Sequence, residues 1–218
     1  MTPILDKQEA ILDSRFPIHL FFTDDEAASA AVNMQRDCDL FEQVEKNPNK
    51  FFLRFYTWDK DYITYGRNQN LQDIKHLLED NRSLEDLVRR PTGGGIVFHK
   101  KEAFTYSLVL PIKAIKKKSL LRTYYDISAI IRKILVDQGL DVNLAELPLD
   151  DYRRRRIEPL CQDFPAKYEL LLGKKKVIGA AQKKGYKVLM QQTYFFINPP
   201  DLYRFKKRLI KDIIKLII

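Results

Sequence analysis

Glycine is scarce in this chain, with 8 among 218 residues, roughly 4% against an average near 7%. Three of the eight are consecutive, Gly93, Gly94 and Gly95, so one point of the backbone has to be bare. Cysteine is scarcer still. Cys38 and Cys161 cannot build a disulfide framework in a chain this long, and both are expected as free thiols. No run of about 18 apolar residues occurs, so no membrane span is expected. Asp6, Lys7 and Glu9 interrupt the stretch from Met1 to Leu12; no signal peptide is expected there, and cytoplasmic is the default localisation. Zinc-finger spacing, helix-turn-helix patterning and an aromatic RNA-binding signature are all missing. The 10 prolines exclude a collagen-like or low-complexity chain.

Apolar residues are 45% of the total and aromatics 11%, which is enough for a core. A compact chain of this length buries on the order of 70% of its unfolded surface and needs no metal to fold. One domain spanning residues 1–218 is expected, with no C-terminal accessory domain. The net charge is +9, from 38 Lys and Arg against 29 Asp and Glu. That balance favours an acidic partner. The basic residues cluster at Lys116–Lys118, Arg153–Arg156, Lys174–Lys176, Lys183–Lys184 and Lys206–Arg208. Any one cluster is best read as solvated surface, and nucleic-acid binding rests on charge alone.

The pattern predicts helices interleaved with a largely antiparallel sheet, an α+β arrangement. Strands are expected at Ile18–Phe22, Phe51–Trp58, Tyr62–Tyr65, Leu87–Arg90, Ile96–His99, Ala103–Leu110, Asp141–Leu144, Lys167–Leu172, Lys175–Ala180 and Lys187–Ile197. Helices are expected at Glu26–Val44, with Thr23, Asp24 and Asp25 as cap candidates, at Ile74–Asp80, at Ser119–Gln138 with Gly139 as its C-cap, and at Asp201–Ile218. Pro148–Pro165 reads as a loop.

Three stretches carry chemistry. The first is Arg89-Arg90-Pro91-Thr92-Gly93-Gly94-Gly95-Ile96-Val97-Phe98-His99. Bare backbone there can lie against a ligand, its amides can surround an anion, and the arginines can supply charged donors. It lacks the lysine and spacing of a P-loop, and a glycine-rich turn with surface arginines fits nearly as well. The second is Lys176-Val177-Ile178-Gly179-Ala180-Ala181-Gln182. A lysine over a desolvated pocket acts as a point charge or a base, while Gly179 and Ala181 leave room for a ligand chain. On spacing alone an exposed turn lysine is the better reading. The third runs from Cys161 to Leu170. Cys161 follows four arginines, a setting that lowers a thiol's pKa and makes it a nucleophile. Cys38 is assigned to packing.

Together these stretches resemble the lipoate–protein ligase A family, which includes the octanoyltransferases and shares the biotin/lipoate ligase-like catalytic fold. Leu53-Arg54-Phe55-Tyr56-Thr57-Trp58, followed by Gly66 and Asn68-Gln69, is similar to the family's first hairpin. Arg89 to His99 is similar to its glycine-rich signature, Phe104-Thr105-Tyr106-Ser107 to the strand after it, and Lys176 to Gln182 to its lysine motif. The resemblance implies a mostly antiparallel mixed sheet, flanked by helices, that cradles an acyl chain. It also implies attachment of an octanoyl or lipoyl group to a lysine of lipoyl domains of oxoacid dehydrogenases or of the glycine cleavage H protein.

Two mechanisms follow from the resemblance. In the cysteine-dependent octanoyltransferases, octanoyl passes from acyl carrier protein onto a cysteine and then to lysine, without a cofactor. Cys161, Tyr168-Glu169-Leu170 and Lys176 match that arrangement, so Cys161 and Lys176 are the expected catalytic pair. In the ligases, ATP, usually with Mg²⁺, activates free lipoate as an acyl-adenylate. Arg90, Gly93, Gly94, Gly95, Ile96, Val97, Phe98, His99, Gly179, Ala181 and Lys176 would then hold nucleotide and acyl group. The unbroken glycine triplet looks like the ligase form, because the octanoyltransferases tend to carry arginine where Gly95 stands. Family members often read Gln-His-Gly where this chain reads Gln191-Gln192-Thr193. Octanoyl transfer is the leading expectation and ATP-dependent ligation the second. A non-catalytic carrier- or nucleic-acid-binding module is the third. A monomer is the default.

Overall fold

Alternation along three long strands sets the architecture. The computed structural model describes residues 10–11, 18–74, 86–115, 119–146 and 166–217. Cys161, Arg153–Arg156, Lys116–Lys118, the expected loop Pro148–Pro165 and most of the helix expected at Ile74–Asp80 lie outside the described residues. In chain order the first elements are β1 (Ala10–Ile11), β2 (His19–Asp24), α1 (Ala30–Lys46), β3 (Lys50–Tyr56), β4 (Tyr62–Tyr65), α2 (Leu71–Ile74), β5 (Leu87–Arg89), β6 (Val97–His99) and β7 (Thr105–Pro111). There follow α3 (Leu120–Val136), β8 (Val142–Leu144), β9 (Leu170–Leu172), β10 (Lys175–Lys176), β11 (Ile178–Lys184), β12 (Val188–Phe195) and α4 (Leu202–Ile217).

A six-stranded sheet runs in the order β1-β2-β3-β7-β12-β11, and two three-stranded sheets run β10-β9-β8 and β5-β4-β6. Pairing is antiparallel except for β2 with β3 and β4 with β5. The mixed, antiparallel-rich sheet flanked by helices is therefore the arrangement that the sequence implies.

Successive side chains point to opposite faces of a strand. On one face Phe51, Leu53 and Phe55 of β3, Tyr106, Leu108 and Leu110 of β7 and Leu189 and Phe195 of β12 join α3 and α4 in the main core. On the other face lies α1, whose buried stripe is Ala30, Asn33, Met34, Asp37, Phe41 and Val44. Register then makes rows across the sheet. Phe52, Val109 and Met190 form an apolar row beneath Phe41 and Val44. Arg54, Ser107 and Gln192 form the next row, and Tyr56, Thr105 and Tyr194 the one after.

The polar row is held by Asp37, which is fully buried. Arg54 Nη1 donates to Asp37 Oδ1 at 2.8 Å and Nη2 to Asn33 Oδ1 at 2.6 Å. Arg54 Nε donates to Asp25 Oδ2 at 2.7 Å. The polar members of the α1 stripe, Asn33 and Asp37, are the partners of an arginine that β3 points inward.

Three departures from expectation bear on the site. The α1 helix starts at Ala30 with Ser29 as its cap, because β2 continues to Asp24 in parallel register with β3. The hairpin implied between β3 and β4 does not form. The chain bridges Trp58 to Ala28 and enters a separate sheet, where β4 pairs with β5 and β6. The strand expected over Lys175–Ala180 is divided at Val177. Lys175–Lys176 pairs with β9, and Ile178 onward pairs with β12. Buried Val177 makes the switch by donating to Leu170 O at 2.8 Å and accepting from Phe196 N at 2.9 Å.

Removing one partner of a buried pair leaves the other charge uncompensated. Arg54→Met should therefore lower stability by about 3–5 kcal/mol in urea unfolding. A loss within about 0.5 kcal/mol, the range of ordinary surface changes, would contradict the role given to the pair.

Candidate active site

Between the six-stranded sheet and the small β5-β4-β6 sheet runs a slot with largely apolar walls. Its floor comes from Met34 of α1 and from Tyr56, Thr105 and Tyr194 on the sheet, with Trp58 beside them. Gly179, Ala180 and Ala181 of β11 form one wall, while Thr64, Val97 and His99 of the small sheet form the other. Small residues on β11 are what leave it open. A Cβ at Gly179 would stand 3.2 Å from the Phe196 ring and 3.5 Å from Lys176 Cε.

Trp58 is fully buried and donates through Nε1 to Thr105 Oγ1 at 2.9 Å. His99 stacks on it, with ring centroids 3.9 Å apart, and meets Tyr194 edge-on. His99 Nε2 lies 2.7 Å from Thr64 Oγ1, while its Nδ1 is buried with no hydrogen-bond partner among the described residues. Burial, and then the Arg90 charge, hold the imidazole well below its ordinary pKa and so toward its neutral form.

The glycine turn is built around Arg90. This side chain is buried and donates to the Gly93 and Gly95 carbonyls at 2.7 and 2.6 Å, and to Thr64 O at 3.2 Å. Its guanidinium thus braces the turn from inside. The exposed Arg89 donates to Arg67 O. Gly94 has φ +91°, the left-handed region where glycine is at home. Gly66 packs so tightly on the turn that a Cβ there would fall 1.9 Å from Gly94 O, whereas a Cβ at Gly93 would meet nothing within 4 Å among the described residues. Thr92, ahead of the triplet, is fully buried and donates to Gln192 Oε1 at 2.6 Å.

Lys176 lies at the sheet switch, beside the slot at Gly179. It is buried, and its Nζ stands 2.8 Å from Glu169 Oε2, an ion pair in which neither side chain exceeds 4% exposure. Glu169 is fixed in turn, accepting from Ala166 N and, at 3.3 Å, from Ala180 N. Lys176 Nζ is also 5.7 Å from the centre of the Phe196 ring.

Of the residues singled out in the sequence, Arg90, Val97, His99, Gly179 and Ala181 line the slot. A Cβ at Gly94 would reach to 4.0 Å from Ala181, which puts the turn over β11. Lys176 adjoins the slot. Ile96 and Phe98 do not: strand alternation turns them to the other face of the small sheet, against Ile63. Cys38 is partly buried on α1, where burial pushes its thiol pKa up. Sequence reasoning missed Asp37, Arg54, Glu169 and Trp58 as parts of the site. One signal was available, an arginine at an inward position of the aromatic strand Phe51–Trp58, which demands a buried acid. Among the described residues no group of three His, Cys, Asp or Glu side chains could hold a metal ion. Among the same residues no helix is long and apolar enough to cross a membrane.

The site is thus an apolar slot with a buried, ion-paired lysine beside it. Residues 29–215 match the lipoyl protein ligase A/B catalytic domain, and the chain belongs to that family. It is 33% identical over 178 residues to the octanoyltransferase LipM of Carboxydothermus hydrogenoformans, covering 81% of this chain and 64% of that protein. The chain spans 61–64% of the length of the first octanoyltransferases it matches. In fold it is similar to protein Ta0514 of T. acidophilum, with TM-score 0.65, 16% identity and coverage of 89% and 84% of the two chains. It is also similar to the bipartite lipoate protein ligase of Thermoplasma acidophilum, described together with its E2 lipoyl domain. There the TM-score is 0.57, with 16% identity and coverage of 89% and 82%.

The contrast between two glycines tests the packing of the turn. Gly66→Ala should lower stability by about 2–3 kcal/mol, because a backbone carbonyl has to move. Gly93→Ala should stay within about 0.5 kcal/mol of the parent. Equal melting temperatures for the two variants would contradict this geometry.

Proposed function

We propose that this protein attaches an octanoyl or lipoyl group to a lysine of a lipoyl domain, and that the acyl group passes through a thioester on Cys161. The observation that carries the proposal is the placement of Lys176. It is buried beside an apolar slot, locked by Glu169, and next to the two small residues that leave room for a chain. Membership in the family and the match to an octanoyltransferase support the same reaction class.

In this scheme the Cys161 thiolate attacks the thioester carbonyl of an octanoyl–acyl carrier protein, and the carrier's thiolate leaves. The amine of the acceptor lysine then attacks the Cys161 thioester. The amide forms, the amine loses a proton, and the Cys161 thiolate is released. As the ammonium paired with Glu169, Lys176 stabilises the thiolate; the proton lost by the acceptor amine is taken up by the released Cys161 sulfur, while the backbone at Gly94–Gly95 holds the oxyanion. Cys161 enters on its interval from Lys176 and on the resemblance. The excess positive charge steers an acidic acceptor domain toward the site. No cofactor is needed on this route. The unbroken triplet at Gly95 favours the second reading, an ATP-dependent ligase in which Lys176 contacts the activated carboxyl and Cys161 is incidental.

Intact mass after mixing with octanoyl–acyl carrier protein, with no ATP present, separates the readings. The expected product is a hydroxylamine-labile octanoyl adduct that is absent from Cys161→Ser, with transfer to the lipoyl domain reduced at least about 100-fold in Lys176→Ala. Full activity in Cys161→Ser would end the thioester proposal. Release of AMP from ATP and free lipoate by that variant would establish the ligase. An active Lys176→Ala protein would refute both enzymes. A strongly salt-dependent nucleic-acid complex without acyl transfer would mark a binding module.

A further inference from the structure

The side-chain amide of Gln192 can face only one way. Asp37 stands opposite it and accepts four hydrogen bonds. Two reach Oδ1, from Arg54 Nη1 at 2.8 Å and Ser107 Oγ at 2.6 Å. Two reach Oδ2, from Tyr56 OH at 3.1 Å and Gln192 Nε2 at 2.7 Å. A carboxylate paired with a guanidinium has no proton to donate, and four bonds fill its acceptor sites. The nitrogen of Gln192 is therefore the end that meets Asp37. Its oxygen is left facing Thr92, whose hydroxyl donates across 2.6 Å. This bond ties the turn ahead of Gly93–Gly95 to β12 of the six-stranded sheet, across 100 residues of sequence. Thr92 and Asp37 have no exposure, and Gln192 has 7%.

We propose that Gln192 is a positioning residue of the acyl site: oriented by Asp37, it sets the height of the glycine turn over β11 and β12 and so the width of the slot. Only the link to the acyl chain rests on the acyl-transfer reading; the positioning of the turn does not. Among the described residues, the titratable and charged groups around Gln192 are Asp37 from α1, Arg54 and Tyr56 from β3, Tyr194 from β12, and Arg90 and His99 across the slot. Burial, with Asp37 adding to it, lifts Tyr56 well above its ordinary pKa, and burial lowers His99. Both are held toward their neutral forms.

Gln192→Glu gives the inference a pH signature that a packing role would not produce. As the neutral acid, the substituted side chain keeps a donor toward Asp37 and an acceptor toward Thr92. Once ionised it sets a second carboxylate against Asp37, and the pattern fails. Burial beside a like charge raises the pKa of such a carboxyl above its ordinary value of about 4.3. The folded variant then binds its proton more tightly than the unfolded chain does. Its stability deficit is smallest at low pH and grows as pH rises through the folded-state value.

The test is hydrogen–deuterium exchange of the segment spanning residues 89–99, each variant compared with the parent at the same pH, together with kcat and KM for octanoyl–acyl carrier protein. Gln192→Glu should exchange like the parent at pH 5 and about tenfold faster at pH 8. Gln192→Leu, and Thr92→Val, which leaves Asp37 untouched, should exchange about tenfold faster at both. KM for the octanoyl donor should follow the same pattern more strongly than kcat. Parent-like exchange in Thr92→Val and in Gln192→Glu at pH 8 would overturn the inference, as would a Gln192→Glu protein that matches Gln192→Leu at pH 5. If exchange follows the expected pattern while the parent transfers no acyl group, the positioning role stands and the acyl-transfer reading falls.

Discussion

Burying the Asp37 carboxylate and the Arg54 guanidinium costs several kcal/mol for each ion before any contact forms. Hydrogen bonds to charged groups return about 1.5–3 kcal/mol apiece. The pair is therefore tolerable only when almost every donor and acceptor around it is matched. The matching draws on α1 through Asn33 and Asp37, on β3 through Arg54 and Tyr56, on β7 through Ser107 and on β12 through Gln192. A well-packed apolar set of the same volume would often serve stability as well or better. What this set secures is register. The row Arg54–Ser107–Gln192 cannot slip by one residue without turning an arginine into the main core.

The slot follows from that register. One row further along, Tyr56, Thr105 and Tyr194 face the same side, and with Met34 and Trp58 they close the apolar end. A second buried pair, Lys176 with Glu169, stands at the opposite wall, where the chain leaves the β10-β9-β8 sheet and enters the large one. Glu169 accepts backbone bonds from both sides of that switch. The lysine is consequently held by the same device that joins the sheets. Each buried pair stands beside a residue that lines the slot, Asp37 at Gln192 and Lys176 at Gly179.

Much of this was legible in the sequence. Aromatic and apolar runs found the long strands, whereas the C-cap of α3 is Asp137 rather than Gly139, which lies two residues further on with φ +88° and a bond to Val136 O at 2.9 Å. The glycine turn and the lysine motif were found as local patterns. What escaped was long-range. Asp37 reads as an ordinary polar position on a helix, because nothing local reveals that Arg54 points at it from 17 residues away. Gln192 reads as a departure from the family pattern, and its meaning depends on Thr92 across the fold. The break at Val177 was missed because no proline or turn pair marks it within Lys175–Ala180, and only the pairing partners divide the segment.

The central claim is that the slot closed by Trp58 receives the acyl chain. Trp58 is the one tryptophan in the sequence and is fully buried against His99, so it reports on that slot without a label. Its emission should change saturably when a soluble octanoyl thioester is titrated into the unmodified protein, and it should stay unchanged with the acetyl thioester. An emission indifferent to octanoyl, or an equal response to acetyl, would contradict the account.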